Sequence, residues 1–310
     1  MNRFTLLPAI SMLALFTGRA EAFDRFVEVG EPPECSADSV VRALEGTMCC
    51  FSFHEVKRPV TQVYMLEAGG TSALDTYLSP VRYHGYNLSL AGSWSKRLPW
   101  GGNSWQMTFD ADAGFSRMLN PAKNALMLGF DASFAWGAAW TRTIDAGVSF
   151  TAGGSVSAEC GVLYLTRNSN NPASAKAALS IAATASASYP FRIGRLPVRV
   201  SDRVSLPSLS VFFSPQYGET YYEIYLGNRS GLAHFGWWGN RFCIDNLLAF
   251  DLDIGPSALR LGYRYTLRSS WTNSLNTQIQ SHSFVVGWIP HGIGLHRNAP
   301  SPEAISIYSL

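Results

Sequence analysis

Residues 126–140, LMLGFDASFAWGAAW, place Leu, Leu, Phe, Ala, Phe, Trp, Ala and Trp at the even positions and Met, Gly, Asp, Ser, Ala, Gly and Ala at the odd ones. A period of two with such unlike faces marks a β-strand that meets a different medium on each side. An upstream run repeats it in the opposite parity: Trp105, Met107, Phe109, Ala111, Ala113 and Phe115 alternate with Gln106, Thr108, Asp110, Asp112, Gly114 and Ser116. Strands of water-soluble sandwiches alternate too, but they average about 5–6 residues. These runs are longer, and Trp105, Phe115 and Trp140 stand at their ends. That fits membrane-spanning strands of about 9–11 residues bounded by interfacial aromatics. The expected fold is all-β, a transmembrane antiparallel β-barrel.

The N-terminus supports an envelope destination. Asn2 and Arg3 precede an uncharged stretch from Phe4 to Gly18, and Ala20-Glu21-Ala22 has the small-x-small form that signal peptidase accepts. The stretch is shorter than the ~20 residues of a spanning helix, so residues 1–22 read as a signal peptide cleaved before Phe23. Outer membrane is the expected location. Cleavage removes Arg3, Arg19 and Glu21, which takes the net charge from +2 to +1. A chain this close to neutral gives no reason to expect a nucleic-acid partner. Apolar residues make up 47% of the sequence without a later run of helix-spanning length, as expected when only alternate residues face lipid.

The five cysteines show no Cys-x-x-Cys or Cys/His zinc spacing, and neither a metal nor a cofactor is expected. Cys35 with Cys49 or Cys50 forms either a disulfide or a set of small packed hydrophobes; Cys160 and Cys243 are isolated.

Residues 23–60 differ from the rest of the chain, with Pro32-Pro33, a short helix expected over Ala37–Glu45 and an apolar Cys50–Phe53 run. They read as an N-terminal extension, on the periplasmic side or partly plugging the lumen. The barrel is expected over 61–289, and 290–310 as a C-terminal tail. Strands are expected near 61–67, 83–97, 104–118, 125–141, 143–157, 174–190, 203–214, 219–227, 240–254, 257–270 and 278–289. Even-numbered closure raises the expectation to about twelve, with 160–167 or part of the N-terminal region as the missing one. The alanine-rich 173–188 has helical propensity, but Leu179, Ile181, Ala183, Ala185, Ala187 and Tyr189 alternate with Ser180, Thr184, Ser186 and Ser188, so strand is preferred. The spans 161–175 and 228–241 are expected as extracellular loops.

With the apolar face outward, the lumen receives Asp110, Asp112, Asp131, Asp145, Asp251 and Asp253 against Arg260, Arg264 and Arg268. Charges in a narrow lumen pair into a plug that stabilises the barrel; alternatively the arginine column lines a narrow anion-tolerant pore. An enzyme needs a nucleophile beside a base. His84, His234 and His282 lie in or near strands, but His282 and Ser283 fall on opposite faces of one strand, and no Gly-x-Ser-x-Gly elbow occurs. No catalytic residue is assigned. A lipid-acting site on the outer wall and a glycan-binding surface stand as alternatives to a non-enzymatic barrel, either structural or a narrow passive channel. Expected partners are outer-membrane lipid and the barrel-assembly machinery, with a small solute or glycan as ligand.

Three phrases go beyond pattern: Asp75-Thr-Tyr-Leu-Ser-Pro80, Thr166-Arg-Asn-Ser-Asn-Asn-Pro-Ala173 and Phe213-Ser-Pro-Gln-Tyr-Gly-Glu-Thr-Tyr-Tyr-Glu-Ile-Tyr225. Together they resemble a domain-of-unknown-function family of Bacteroidetes, whose members carry signal peptides and are regarded as outer-membrane barrels. The resemblance covers about residues 61–289 and implies barrel fold and envelope location; it transfers no catalytic residue. Glu219-Thr220 stands where that family suggests Gln-Ser, and the chain continues past Trp288 where relatives stop. Rim candidates within these phrases are Arg167, Asn168, Asn170 and Asn171, a turn-forming cluster, and Tyr217, Tyr221 and Tyr222, which suit a girdle or stacking on a sugar.

Overall fold

The computed structural model describes residues 60–98, 104–144, 147–169, 171–227, 230–255 and 257–290, all within the compact unit Lys57–Leu310. The expected signal peptide, nearly all of the N-terminal extension, the tail from His291, and the candidates Asp145 and Asn170 lie outside the described residues. The strands are β1 (Val60–Asp75), β2 (Ser79–Arg97), β3 (Trp105–Leu119), β4 (Leu126–Thr143), β5 (Ser149–Leu165), β6 (Ala173–Ile193), β7 (Leu196–Phe213), β8 (Ala233–Trp237), β9 (Arg241–Asp253), β10 (Ser257–Thr272) and β11 (Leu275–Pro290). A short helix, α1 (Tyr221–Tyr225), precedes β8. The sheet runs β6-β5-β4-β3-β2-β1-β11-β10-β9-β7, and pairing of β6 with β7 closes it. All of these pairings are antiparallel. Closure leaves only the short strand β8 with an unpaired side among the described residues.

Among the described residues the barrel therefore has ten strands, with β8 as an extra short one, rather than the twelve expected. Residues 160–165 are not a separate strand but the end of β5, where Leu163 and Leu165 stay buried and Tyr164 exposed. The expected strand 219–227 is a turn of helix instead. Thr220 accepts from the Glu223 N–H while the Glu223 carboxylate accepts from the Thr220 N–H, a capping box that winds the tyrosine run despite its strand propensity. Both long loops are shorter than expected: 166–172 joins β5 to β6, and β8 occupies the middle of 228–241. β8 and β9 share one wall position against β7, paired at Leu209↔Trp237 and Ser205↔Asp245 respectively.

Strands separate their residues by parity, except that β7 changes face at an irregularity around Ser208, where pairing with β6 steps from Ile181↔Leu209 to Ala182↔Pro207. On β4, Phe130, Phe134, Trp136 and Trp140 are exposed on the outer wall, while Met127, Gly129, Gly137 and Ala139 are buried. The alanine-rich segment is indeed strand β6, with Ala178, Ser180 and Ala182 buried and Leu179 and Ile181 exposed. Outward rings form a row across five strands: Trp288 stacks on Tyr64 at 6.2 Å, Tyr64 meets Trp94 at 5.9 Å, Trp94 meets Phe109 at 5.4 Å and Phe109 meets Phe134 at 4.4 Å. Inside, the strands approach so closely that a Cβ at Gly69 would lie 1.9 Å from the His282 carbonyl oxygen, which reserves that place for glycine.

The lumen holds two apolar clusters. One, toward the rim where Val60 and Pro290 lie, contains Val63, Met65, Leu247, Val285 and Ile289. The other, toward the β1–β2 turn, contains Leu78, Tyr83, Met118, Met127, Leu163 and Leu165. Between them lies the charge.

Candidate functional site

Period-two geometry sends the even residues of β10 inward, so Arg260, Arg264 and Arg268 rise as a column on one strand. Register then decides their partners. Arg260 lies opposite Asp251 of β9 and binds it through two parallel bonds, Nε to Oδ1 at 2.6 Å and Nη2 to Oδ2 at 2.8 Å. Arg264 reaches further. Its Nε donates to both Asp245 oxygens at 3.1 and 3.0 Å, its Nη1 donates to Glu67 Oε1 of β1 at 2.9 Å, and its Nη2 lies 4.0 Å from Asp112 Oδ1 of β3. Asp112 also accepts from the Ser133 hydroxyl of β4. Arg268 stands 3.7 Å from Asp131 of β4 and 3.6 Å from Glu159 of β5, and Glu159 accepts from Arg241 of β9 at 3.0 Å. Arg203 of β7 grips both Asp110 oxygens of β3 at 3.1 Å.

The Arg260–Asp251 and Arg264–Asp245 pairs join the adjacent strands β10 and β9. The contacts of Arg264 with Glu67, Arg268 with Asp131 and Glu159, Arg241 with Glu159 and Arg203 with Asp110 join strands that are not neighbours in the wall, so these side chains span the lumen. A charge removed from water is tolerated only when it is paired and hydrogen-bonded, and here the counter-ion comes from the adjacent strand for Arg260 and from across the lumen for Arg203, Arg241 and Arg268. A cavity of about 90 Å³ in this region is lined by Asp131, Glu159, Lys176, Arg241, Arg268 and Thr277, among others.

The rim at the β1–β2 turn is bridged as well. Lys176 of β6 pairs with Asp75 of β1 at 2.8 Å and donates to Thr277 of β11 at 3.1 Å. Above it, the Tyr77 hydroxyl donates to the Glu219 carbonyl at 2.8 Å and accepts from Asn171 Nδ2 at 2.7 Å. The Ala175 N–H donates to the Tyr221 hydroxyl at 2.6 Å, and the Tyr77 and Tyr221 rings meet edge to face at 5.9 Å. Asn168 holds the Asn171 carbonyl at 2.9 Å, which shapes the β5–β6 loop for this contact. Burial and the neighbouring Tyr221 push the Tyr77 hydroxyl up to about 12, and burial also raises Tyr221. The Glu223 carboxyl is held below its usual range by the Thr220 N–H. The three phrases singled out in the sequence thus meet at one rim, contributing Asp75 and Tyr77, Asn168 and Asn171, and Glu219 and Tyr221.

Of the other sequence candidates, Asp253 accepts from the Gly255 N–H at 3.0 Å and shapes the β9–β10 turn. Arg167, Tyr217 and Tyr222 are exposed. Sequence reasoning missed Glu67, Glu159, Arg203, Arg241, Asp245, Asp75 and Lys176. Parity alone would have found Asp245, on the same face as Asp251; Glu67 and Glu159 fell at or between the ends of expected strands drawn too short. On the histidines, His282 Nδ1 lies 2.5 Å from the Tyr263 hydroxyl, and His234 contacts the Ser214 carbonyl and Asn273. Among the described residues neither contacts a serine hydroxyl.

A family model described as a protein of unknown function (DUF3316) matches residues 44–298. No curated protein matches the chain. Among solved structures, the beta domain of the Bordetella autotransporter BrkA is 9% identical, with 75% of this chain and 99% of that chain covered at a TM-score of 0.40. The transport unit of the autotransporter AIDA-I from Escherichia coli is 7% identical, covering 82% and 96%, at 0.41. The translocator domain of the autotransporter NalP from Neisseria meningitidis is 12% identical, covering 82% and 95%, at 0.35. Similarity at this level is too slight to carry function or location.

Proposed function

The chain belongs to the DUF3316 family of proteins of unknown function, and we propose that it is an outer-membrane barrel whose lumen is shut by its own charges, acting as a structural element of the envelope and not as a free channel. Support for the membrane comes from the outer wall. From Phe130 to Trp140 on β4 the outward residues are uncharged; at about 3.3 Å per residue and a tilt of about 40° this band stands about 25 Å tall, the height of the apolar band of outer-membrane barrels. In this reading residues 1–22 are removed, and the mature protein starts at Phe23 and fractionates with the outer membrane. N-terminal sequencing of fractionated envelopes tests that, and recovery in the soluble periplasm overturns it.

The closed lumen rests on one observation, the Arg264 guanidinium bound at once to strands β9 and β1 and facing Asp112 of β3. In phosphatidylcholine liposomes, wild-type protein should give no swelling with small sugars, and Arg264→Leu should admit them. A freely permeable wild type, with a variant changed only in ion selectivity, would establish a channel instead.

A second reading draws on the loop before β8, where Tyr217, Tyr222 and Tyr225 are exposed at 71%, 68% and 80%. Open rings of this kind suit stacking on a sugar. Retention of cells bearing the wild type but not the triple alanine variant on a glycan array distinguishes it.

A further inference from the structure

On the outer wall of β10, β11, β1, β2 and β3, the surface changes character along the strands. Toward the Val60 and Pro290 rim it is apolar, with Leu66, Leu88, Leu90, Phe284 and Val286 exposed. Toward the β1–β2 turn it becomes polar. One row of paired residues there runs Tyr265, His282, Gly70, Tyr86, Arg117, with His84 and Arg82 next along β2. Their direction follows from alternation with the buried Tyr83, Met118 and Ser283. A Cβ built at Gly70 would meet only the Gly85 carbonyl oxygen, at 3.9 Å. That leaves a shallow floor between His282 and Tyr86.

The charge on this face is of one sign. All four acidic residues of these five strands, Glu67, Asp75, Asp110 and Asp112, form ion pairs inside the lumen. The lumen cations Lys176, Arg203, Arg241, Arg260, Arg264 and Arg268 each have a carboxylate. The outward ones do not. Arg82 donates to Gln278 Oε1 at 2.5 Å and to Ser72 Oγ at 3.5 Å, both neutral, and Arg117 has no ion pair or hydrogen bond among the described residues. Tyr86 lies opposite Arg117, and Tyr263 and Tyr265 stand farther round the same wall on β10; tyrosine is the residue type that collects at headgroup depth.

We propose that this sector seats anionic lipid, with the Arg82 guanidinium on the β1 and β11 side and the Arg117 guanidinium on β3 each available to a headgroup phosphate, and the acyl chains lying over Leu88, Leu90 and Phe284. Arginine forks match phosphate oxygens, and the transition from apolar to cationic wall sets the depth. This inference rests on the membrane-spanning reading above, so the two are tested in sequence. Flotation of the full chain with phosphatidylcholine vesicles tests that reading alone; a protein that stays behind ends both.

For a protein that floats, native mass spectrometry from mixed micelles gives the ratio of phosphatidylglycerol to phosphatidylcholine bound. A basic side chain at an anionic surface contributes about fivefold, so the wild type should prefer phosphatidylglycerol by about 25-fold. Arg82→Gln/Arg117→Gln should bring the ratio close to one. Lys96→Gln/Arg142→Gln, at the opposite rim, should leave it unchanged. Equal binding of the two lipids by the wild type overturns the proposal, and would mean that these side chains are simply solvated above the bilayer. It is equally overturned if the opposite-rim variant loses as much preference, or if millimolar inorganic phosphate displaces the lipid.

Discussion

At the scale of single residues, the structure turns on which side of the wall a side chain faces. Arg264→Leu strands Glu67, which is 4% exposed at its side chain, together with Asp245. Breaking one partner of a buried pair typically costs about 3–5 kcal/mol. Urea unfolding in micelles should show that loss, and adding Glu67→Gln and Asp245→Asn should recover part of it. Parity is tested by neighbours: Phe134→Arg, on the outer wall, should cost about 2–4 kcal/mol near the bilayer midplane. Ser133→Arg, beside Asp112 in the lumen, should cost much less. Equal costs would mean the faces are misassigned. Tyr77 gives a pH dependence. Its hydroxyl ionises near 12 in the folded chain against an ordinary 10.0, so the folded state holds its proton more tightly than the unfolded one. The resulting stability is complete below pH 10 and is lost as pH rises through 12. Thermal unfolding should show this alkaline step in the wild type and a smaller one in Tyr77→Phe.

Elements show where sequence is legible and where it is not. Long alternating runs such as 126–140 and 105–116 appear as β4 and β3, because one misplaced residue would turn the whole apolar set inward. Ends were harder. β1 continues to Asp75 through Gly69 and Gly70, where missing side chains interrupt the alternation, and β5 continues through Cys160 and Gly161 for the same reason. The run Tyr221–Tyr225 has strand-like residues, yet the Thr220 to Glu223 spacing that caps a helix was present in the sequence and outweighed them. The cross-lumen partners were not legible, since they depend on barrel radius and stagger, which no local pattern encodes. At the rim, Asn171→Ala removes hydrogen bonds to Tyr77 and Glu219. A net loss of about 1 kcal/mol corresponds to roughly fivefold more opening, and chymotrypsin should cleave within 214–232 faster by about that factor.

Across the whole molecule, inside and outside can be addressed by reagents. Cys160 is exposed on the outer wall and Cys243 is buried in the lumen. In a variant with Cys35, Cys49 and Cys50 changed to serine, a bilayer-soluble maleimide should label Cys160, a membrane-impermeant one should not, and Cys243 should react only after unfolding. Labelling of Cys243 in the folded protein would show that the lumen is open. The seam of the barrel bears on how it is made. Most wall contacts join strands adjacent in the chain, but β1 meets β11 with Tyr64 opposite Trp288, partners from the two extremes of the described sequence. Closing so long a span costs chain entropy before it returns any contact, so this pairing is expected to form last. Until it does, a nearly finished sheet carries two bare edges able to recruit other strands. The nascent protein is thus most prone to aggregation just before completion, and a delay at that single joint, not in any hairpin, would set its yield.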